Sequence, residues 1–305
     1  MILPLVLISR LCNQQFSSTE FRTKALATFA LGGEPDWTEI TGDAVWVANG
    51  KLHAIHRIDP ASNREVARIE LPDEPCSGLV FAFGSLWVPT CGKSAALLRI
   101  DPATNRVRHS LPIVAADSEG SITASGDSIW LVTDTSGTLS RIDPVKNEVR
   151  QRIRLPAGSF NPRYGDGIVW VTGFTTNVLI PVMAQSGEVL KPIPVGPKPR
   201  FLTIGGGSVW TLNQGDGSVT RVDAKWLRVI ATIQAGIPGH GGEICYGGGV
   251  VWATLMGIPL TNIDAQANRV EKQWKGPGGD SVRFGHDSIW LTSLREGLLW
   301  RLPVM

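Results

Sequence analysis

The stretch TEITGDAVWVANGKLHAIHRIDPASNREVARIELP, residues 38–72, alternates apolar and polar positions in four short runs. Period-two patterning rich in Val, Ile, Thr and Trp is what half-buried strands require. The runs read as strand A near WTEIT, strand B at AVWVAN, strand C at KLHAIHRID and strand D at EVARIEL. Gly42-Asp43 makes the first tight turn, and Asp-Pro-x-x-Asn makes the last. In that turn Pro presets φ, while Asn tolerates the left-handed region and bonds locally.

The unit recurs. DAVWVAN, GSLWVPT, DSIWLVT, GIVWVTG, GSVWTLN, GVVWATL and DSIWLTS place tryptophans at Trp46, Trp87, Trp130, Trp170, Trp210, Trp252 and Trp290, 38 to 43 residues apart. A second signature follows at RIDPASNREV (57–66), RIDPATNRV (99–107) and RIDPVKNEV (141–149). It weakens to RVDAKWLRV and NIDAQANRV in copies five and six, and only the turn AQSGEV survives in copy four. Repetition of a four-stranded unit at this period, without a helical period, predicts a β-propeller over an open β-solenoid. The seventh copy ends after two strands, whereas a surplus strand, TKALATFALG at 23–32, precedes the first. The expected fold is therefore all-β: a seven-bladed propeller of four-stranded antiparallel blades. A strand at about 23–31 completes the last blade and removes an exposed edge. Residues 23–305 form this single domain, and residues 1–22 an N-terminal extension. The repeated Trp is expected to pack between blades, and the Arg before each Asp-Pro to pair across blades or with its own turn.

Composition narrows the function. A net charge of +2 over 305 residues gives no basic field for nucleic acid. No apolar run approaches the roughly 18 residues needed for a membrane span. The N-terminus MILPLVLISRLC is a short apolar run broken by Pro4 and ended by Arg10, a poor secretory signal, so export stays open on this segment alone. There is no nucleophile elbow, phosphate-binding Gly-rich turn or zinc spacing. No organic cofactor and a monomeric state are expected.

The signature [DG]-S-[LIV]-W-[VL] followed by R-I-D-P-x-[TS]-N-x-V resembles that of the virginiamycin B lyase-like and YVTN-type seven-bladed propellers, over about residues 23–305. The resemblance implies the fold. For function it spans lyases, lactonases and propellers that only bind or scaffold. In a virginiamycin B lyase-like enzyme a His general base works beside Mg²⁺ held by acids and a second His. That resemblance would make His240 the base, with Glu243 orienting it or holding metal. The matching loop of copy seven, GPGGDSV, carries Asp280 and no His, and His53, His56, His109 and His286 are not expected at the mouth. His240 therefore has a second reading, as a pocket-lining or loop-bonding residue.

Register supplies further candidates. Ten residues before each Trp lie Asp36, Ser77, Gly120, Phe160, Arg200, Gly242 and Asp280, a column too varied for a packing position. It falls on the D-to-A connections, which share one rim with the B-to-C turns. Asp36, Trp37, Arg163, Lys198, Arg200, Asn213 and Arg295 are expected to contact substrate, the cations among them forming a half-rim for an anionic ligand. Glu119, Asn161, Asn213 and Asp280 offer oxygen ligands to Mg²⁺ or Ca²⁺ in a lactonase-like arrangement. Two functions follow: a small-molecule site at the channel mouth with lyase or lactone-hydrolase chemistry, or a non-catalytic ligand- or protein-binding propeller at the cell envelope. Cys76 and Cys91 face each other across the A–B hairpin of copy two, as a disulfide or as two adjacent free thiols. A disulfide would favour a periplasmic or secreted protein.

Overall fold

The computed structural model describes residues 14–305. Seven sheets follow one another around a ring. Blade one is typical: strands Pro35–Ile40, Val45–Asn49, Ala54–Asp59 and Arg64–Glu70 pair antiparallel in sequence order. Blade seven takes Val282–Gly285, Ser288–Ser293 and Leu298–Pro303 from the C-terminus and its outer strand, Ala27–Ala30, from the N-terminus. The expected ring closure is thus present. It begins at Ala27 rather than residue 23 because Ser18–Thr23 forms a short helix that the period-two pattern did not announce. Before it, Gln14–Ser17 adds a fifth, parallel strand to the outer edge of blade six, against Arg269–Lys275. The described part of the extension is therefore packed onto the ring.

All seven repeat tryptophans are buried, none more than 1% exposed. Six of their indole N–H groups donate to an oxygen five residues earlier, such as Trp87 to Ala82 O at 3.1 Å and Trp130 to Ser125 Oγ at 2.9 Å. A guanidinium covers the indole in five blades, with Arg57 4.8 Å above Trp46 and Arg221 4.7 Å above Trp210.

The same arginines tie five of the blades to the next one. Arg57 donates to Pro102 O (2.7 Å) and Asn105 Oδ1 (3.1 Å) of blade two, and Arg99 to Pro144 O (2.8 Å) and Asn147 Oδ1 (3.4 Å) of blade three. Arg221 repeats the contact with Ala265 and Asn268, and Arg301 with Pro60 and Asn63, which seals blade seven to blade one. The turn presents its acceptor because Asn63, Asn105, Asn147 and Asn268 hold φ of 52–57°, a region Asn enters at lower cost than most residues. The preceding Asp pins the turn from inside, as Asp59 Oδ1 does by accepting Ala61 N at 2.8 Å. Two seams lack the arginine: blade four has Pro181 at that position, facing Leu227 (φ 52°) at the asparagine position of blade five, and blade six has Asn262, whose amide donates to Met305 O of blade seven at 3.0 Å instead.

Cys76 and Cys91 form a disulfide with Cα atoms 5.9 Å apart. Strand A of blade two is split into Glu74–Pro75 and Val80–Ala82 by left-handed Ser77 and Gly78. That kink brings Cys76 diagonally onto Cys91, whose direct partner is Glu74. Closing a loop of this length is expected to contribute about 3 kcal/mol. Dithiothreitol should lower the urea midpoint of the wild type and leave a Cys76→Ser/Cys91→Ser variant unmoved.

Candidate small-molecule site at the channel mouth

The D-to-A connections bring Asp36, Glu119 and Asp280 to the mouth from blades one, three and seven. The Asp36 and Asp280 carboxyls are near enough for each to bear on the other's ionisation. Burial raises both, and the charges of Glu119 and Glu243 add to it; Asp280 raises Asp36 further, whereas Asp36 opposes the rise of Asp280, which is still pushed up to about 7. Gly242 N donates to Asp280 Oδ1 at 3.2 Å and favours the charged form there. Burial also raises Glu119, with Arg200 opposing. Both carboxyls are thus held toward the neutral form, Asp280 with its proton leaving at about pH 7.

Below the mouth, Trp37 of blade one meets Phe201 of blade five with ring centroids 5.9 Å apart. Blades one and five are not neighbours, so this contact crosses the axis and closes the channel. Beside it lies a charged cluster. Glu243, 2% exposed, accepts from Arg283 and Ser281 Oγ (2.6 Å) and pairs with Arg163 at 3.5 Å. Burial holds Arg163 down, to about 10, aided by repulsion from Arg283. Burial pushes the adjacent Cys245 thiol up to about 12. Burial likewise raises Glu39, which accepts Phe81 N at 3.0 Å.

These positions revise several expectations. His240 is exposed on its loop, and Glu243, which was to orient it, is committed to arginines underneath. Trp37 is 3% exposed and part of the plug, not of an open rim. Arg163 lies in the interior with Glu243. Arg200 is paired with Asp117 and stacked between Phe160 and Phe174, 4.8 and 5.4 Å from their centroids. Asn213 is consumed within blade five by Thr211, Ser218 and Thr220 at 2.8–3.0 Å. Lys198 and Arg295 are exposed, so no cationic half-rim assembles. The Asn161 amide nitrogen is spent on the carbonyls of Glu119 and Arg200, and its buried Oδ1 has no hydrogen-bond partner. Among the described residues no three His, Cys, Asp or Glu side chains are placed to hold a metal ion. Of the proposed donors, Asn161 and Asn213 spend their amide nitrogens inside the protein, while Glu119 and Asp280 act on each other through their charges. Asp117, Ser281 and Arg283 were missed. Arg283 sits seven residues before Trp290, in a column (Glu39, Val80, Thr123, Arg163, Thr203, Cys245, Arg283) whose variety was as visible as that of the column chosen.

A cleft of about 220 Å³ opens on the same face between blades six and seven. Its walls are Met256-Gly257, the loop Gly276–Gly279, and Ser293–Glu296 with the exposed Arg295. Gly241 separates it from the carboxyl pair: a Cβ built there would lie 3.5 Å from Met256 Cε and 3.7 Å from Asp280 Oδ1. Apolar walls, one unpaired guanidinium and a carboxyl pair at one side make a concave site suited to a small ligand.

Fold and site define a seven-bladed propeller with a buried pair of aspartates raised toward the neutral form. Among solved structures the chain is similar to a streptogramin B lyase, with a TM-score of 0.72 and 16% identity over 92% of this chain and 96% of that one. It is also similar to BamB from Moraxella catarrhalis, with a TM-score of 0.64 and 11% identity over 88% and 84%. At these identities the likeness is one of fold. No protein-family model and no curated protein matches the chain. No helix among the described residues is long and apolar enough to cross a membrane.

Proposed function

We propose that the protein takes a small molecule into the cleft between blades six and seven and that Asp36–Asp280 acts on it as an acid–base pair. The carrying observation is a pair of interacting aspartates, both held toward the neutral form, beside a preformed cavity. One neutral and one charged carboxyl supply a donor and an acceptor at once, as proton transfer to or from a bound lactone or ester needs. Lyase or lactone-hydrolase chemistry is the corresponding reaction class, and similarity to a streptogramin B lyase supports trying streptogramin B itself. His240 overhangs the same loop and offers a second proton acceptor. The Cys76–Cys91 disulfide supports an oxidising compartment, periplasmic or extracellular. It equally supports the second reading, a non-catalytic binding propeller at the envelope.

The test is ligand-detected NMR with streptogramin B and a panel of simple lactones, followed by mass analysis for turnover. Binding is expected for the wild type, with loss of at least tenfold in affinity in Met256→Trp, which fills the cleft. Asp36→Asn is expected to abolish any turnover. Hits that survive both substitutions, or no hits at all, would sink the proposal; binding without turnover would favour the non-catalytic reading.

A further inference from the structure

Two of the cleft walls are held by a residue from outside the repeats. Arg22 ends the short helix Ser18–Thr23 and reaches over blades six and seven. Its Nη2 donates to Pro277 O at 2.7 Å, on the Gly276–Gly279 loop. Its Nη1 and Nη2 grip the Glu296 carboxylate at 3.0 and 2.7 Å, on the B-to-C turn of blade seven. The guanidinium carbon lies 4.7 Å above the Trp300 ring, and Phe21, wholly buried, packs edge-on against the same indole at 5.7 Å. Ser293 Oγ donates to Glu296 Oε2 at 2.8 Å, so the carboxylate is fixed from both sides.

The glycines facing this brace have no room to spare. A Cβ on Gly276 would come within 2.4 Å of Ser18 Oγ, and one on Gly278 within 3.2 Å of Arg22 Nη2. Both also hold left-handed φ, 129° and 105°, which a side chain would resist. The loop is therefore built around the arm, and only a planar fork with several donors can hold a carbonyl and a carboxylate at once.

We infer that Arg22 is a positioning residue for the cleft: by bridging Pro277 and Glu296 it fixes how far apart two of the walls stand. The N-terminal arm is then part of the binding site as well as of ring closure. This rests on the cleft being the site, but the brace can be tested without any ligand.

The experiment is hydrogen–deuterium exchange of the full chain, followed peptide by peptide. In Arg22→Met, residues 276–280 and 293–297 are expected to exchange at least tenfold faster, with strands Ala27–Ala30 and Leu298–Pro303 unchanged. Glu296→Gln, which touches neither Pro277 nor its loop, is expected to loosen 276–280 as well; a purely local support would not transmit that. Arg22→Lys keeps the charge without the fork and is expected to fall between Met and wild type. Unchanged exchange in 276–280, a uniform rise across blade seven, or full protection in Arg22→Lys would each overturn the inference. Failure of the ligand screen with these exchange changes present would remove the proposed function and leave the brace standing.

Discussion

Glu243→Gln is expected to cost about 3–5 kcal/mol, read as a fall in the urea midpoint at constant slope. The substitution keeps the shape and leaves Ser281 a partner. It removes the only carboxylate among the described residues that forms ion pairs with both Arg283 and Arg163, and those two guanidiniums then face each other inside the ring. Glu39 attracts both from a greater distance, but burial already pushes it toward the neutral form. The double variant Glu243→Gln/Arg283→Met removes one of the opposed charges and should recover part of the loss, because paired groups are not additive. A single-variant loss under about 1 kcal/mol would show that water reaches the cluster and solvates it.

The second large effect depends on pH and has the opposite sign. Asp36 and Asp280 are raised in the folded protein, Asp280 from an ordinary 3.8 to about 7. A raised carboxyl contributes fully below its unfolded value and loses that contribution as pH climbs through the folded one. Stability should therefore fall between about pH 4 and pH 7–8, by up to about 4 kcal/mol for a shift of this size. Asp280→Asn keeps an oxygen for Gly242 N and an amide donor for Asp36, yet carries no charge. It is expected to be more stable than wild type at pH 8, by roughly 5 °C in Tm, and indistinguishable near pH 4.5. Parallel melting curves for the two proteins across this range would contradict the raised Asp280 carboxyl. A gain in stability together with lost turnover would be the trade expected of a group kept for chemistry.

The ring was legible because its signals are local and repeat: an indole on each strand B, and an Asp-Pro turn about 13 residues later. The site was legible only as a column. Pairing registers shift between Pro35 and Thr38, between Ser159 and Pro162, and between Pro199 and Phe201. These are the positions on which the column was drawn. One extra residue in a strand re-aims the side chains beside it, so Trp37 and Asn161 ended in the interior. Partner identity was less accessible still. Trp37 finds Phe201, and Arg163 finds Glu243, across the axis rather than along the chain. No spacing encodes such meetings until the ring is closed. The arm escaped notice because QQFS has no alternation to read.

The arginine latch gives the ring a direction. Each donor sits on one blade and its carbonyl acceptor on the following one, while the rest of the guanidinium is held at home, as Arg57 is by Asp43 and Arg99 by Ser85. A latched blade moved alone would break its guanidinium's bond to the turn ahead and leave its own turn without the donor behind it. The vacancy at Pro181 and Leu227 falls on both sides of a single joint, as that dependence demands. Strand D of blade four, only Ile193–Pro194, lies at the same joint. Between blades four and five that latch is missing, and the polar ties are others, such as Thr172 Oγ1 and Asn161 Nδ2 donating to Arg200 O. That joint is where the circle has a natural beginning and end, and where a permuted chain could be cut with least disturbance.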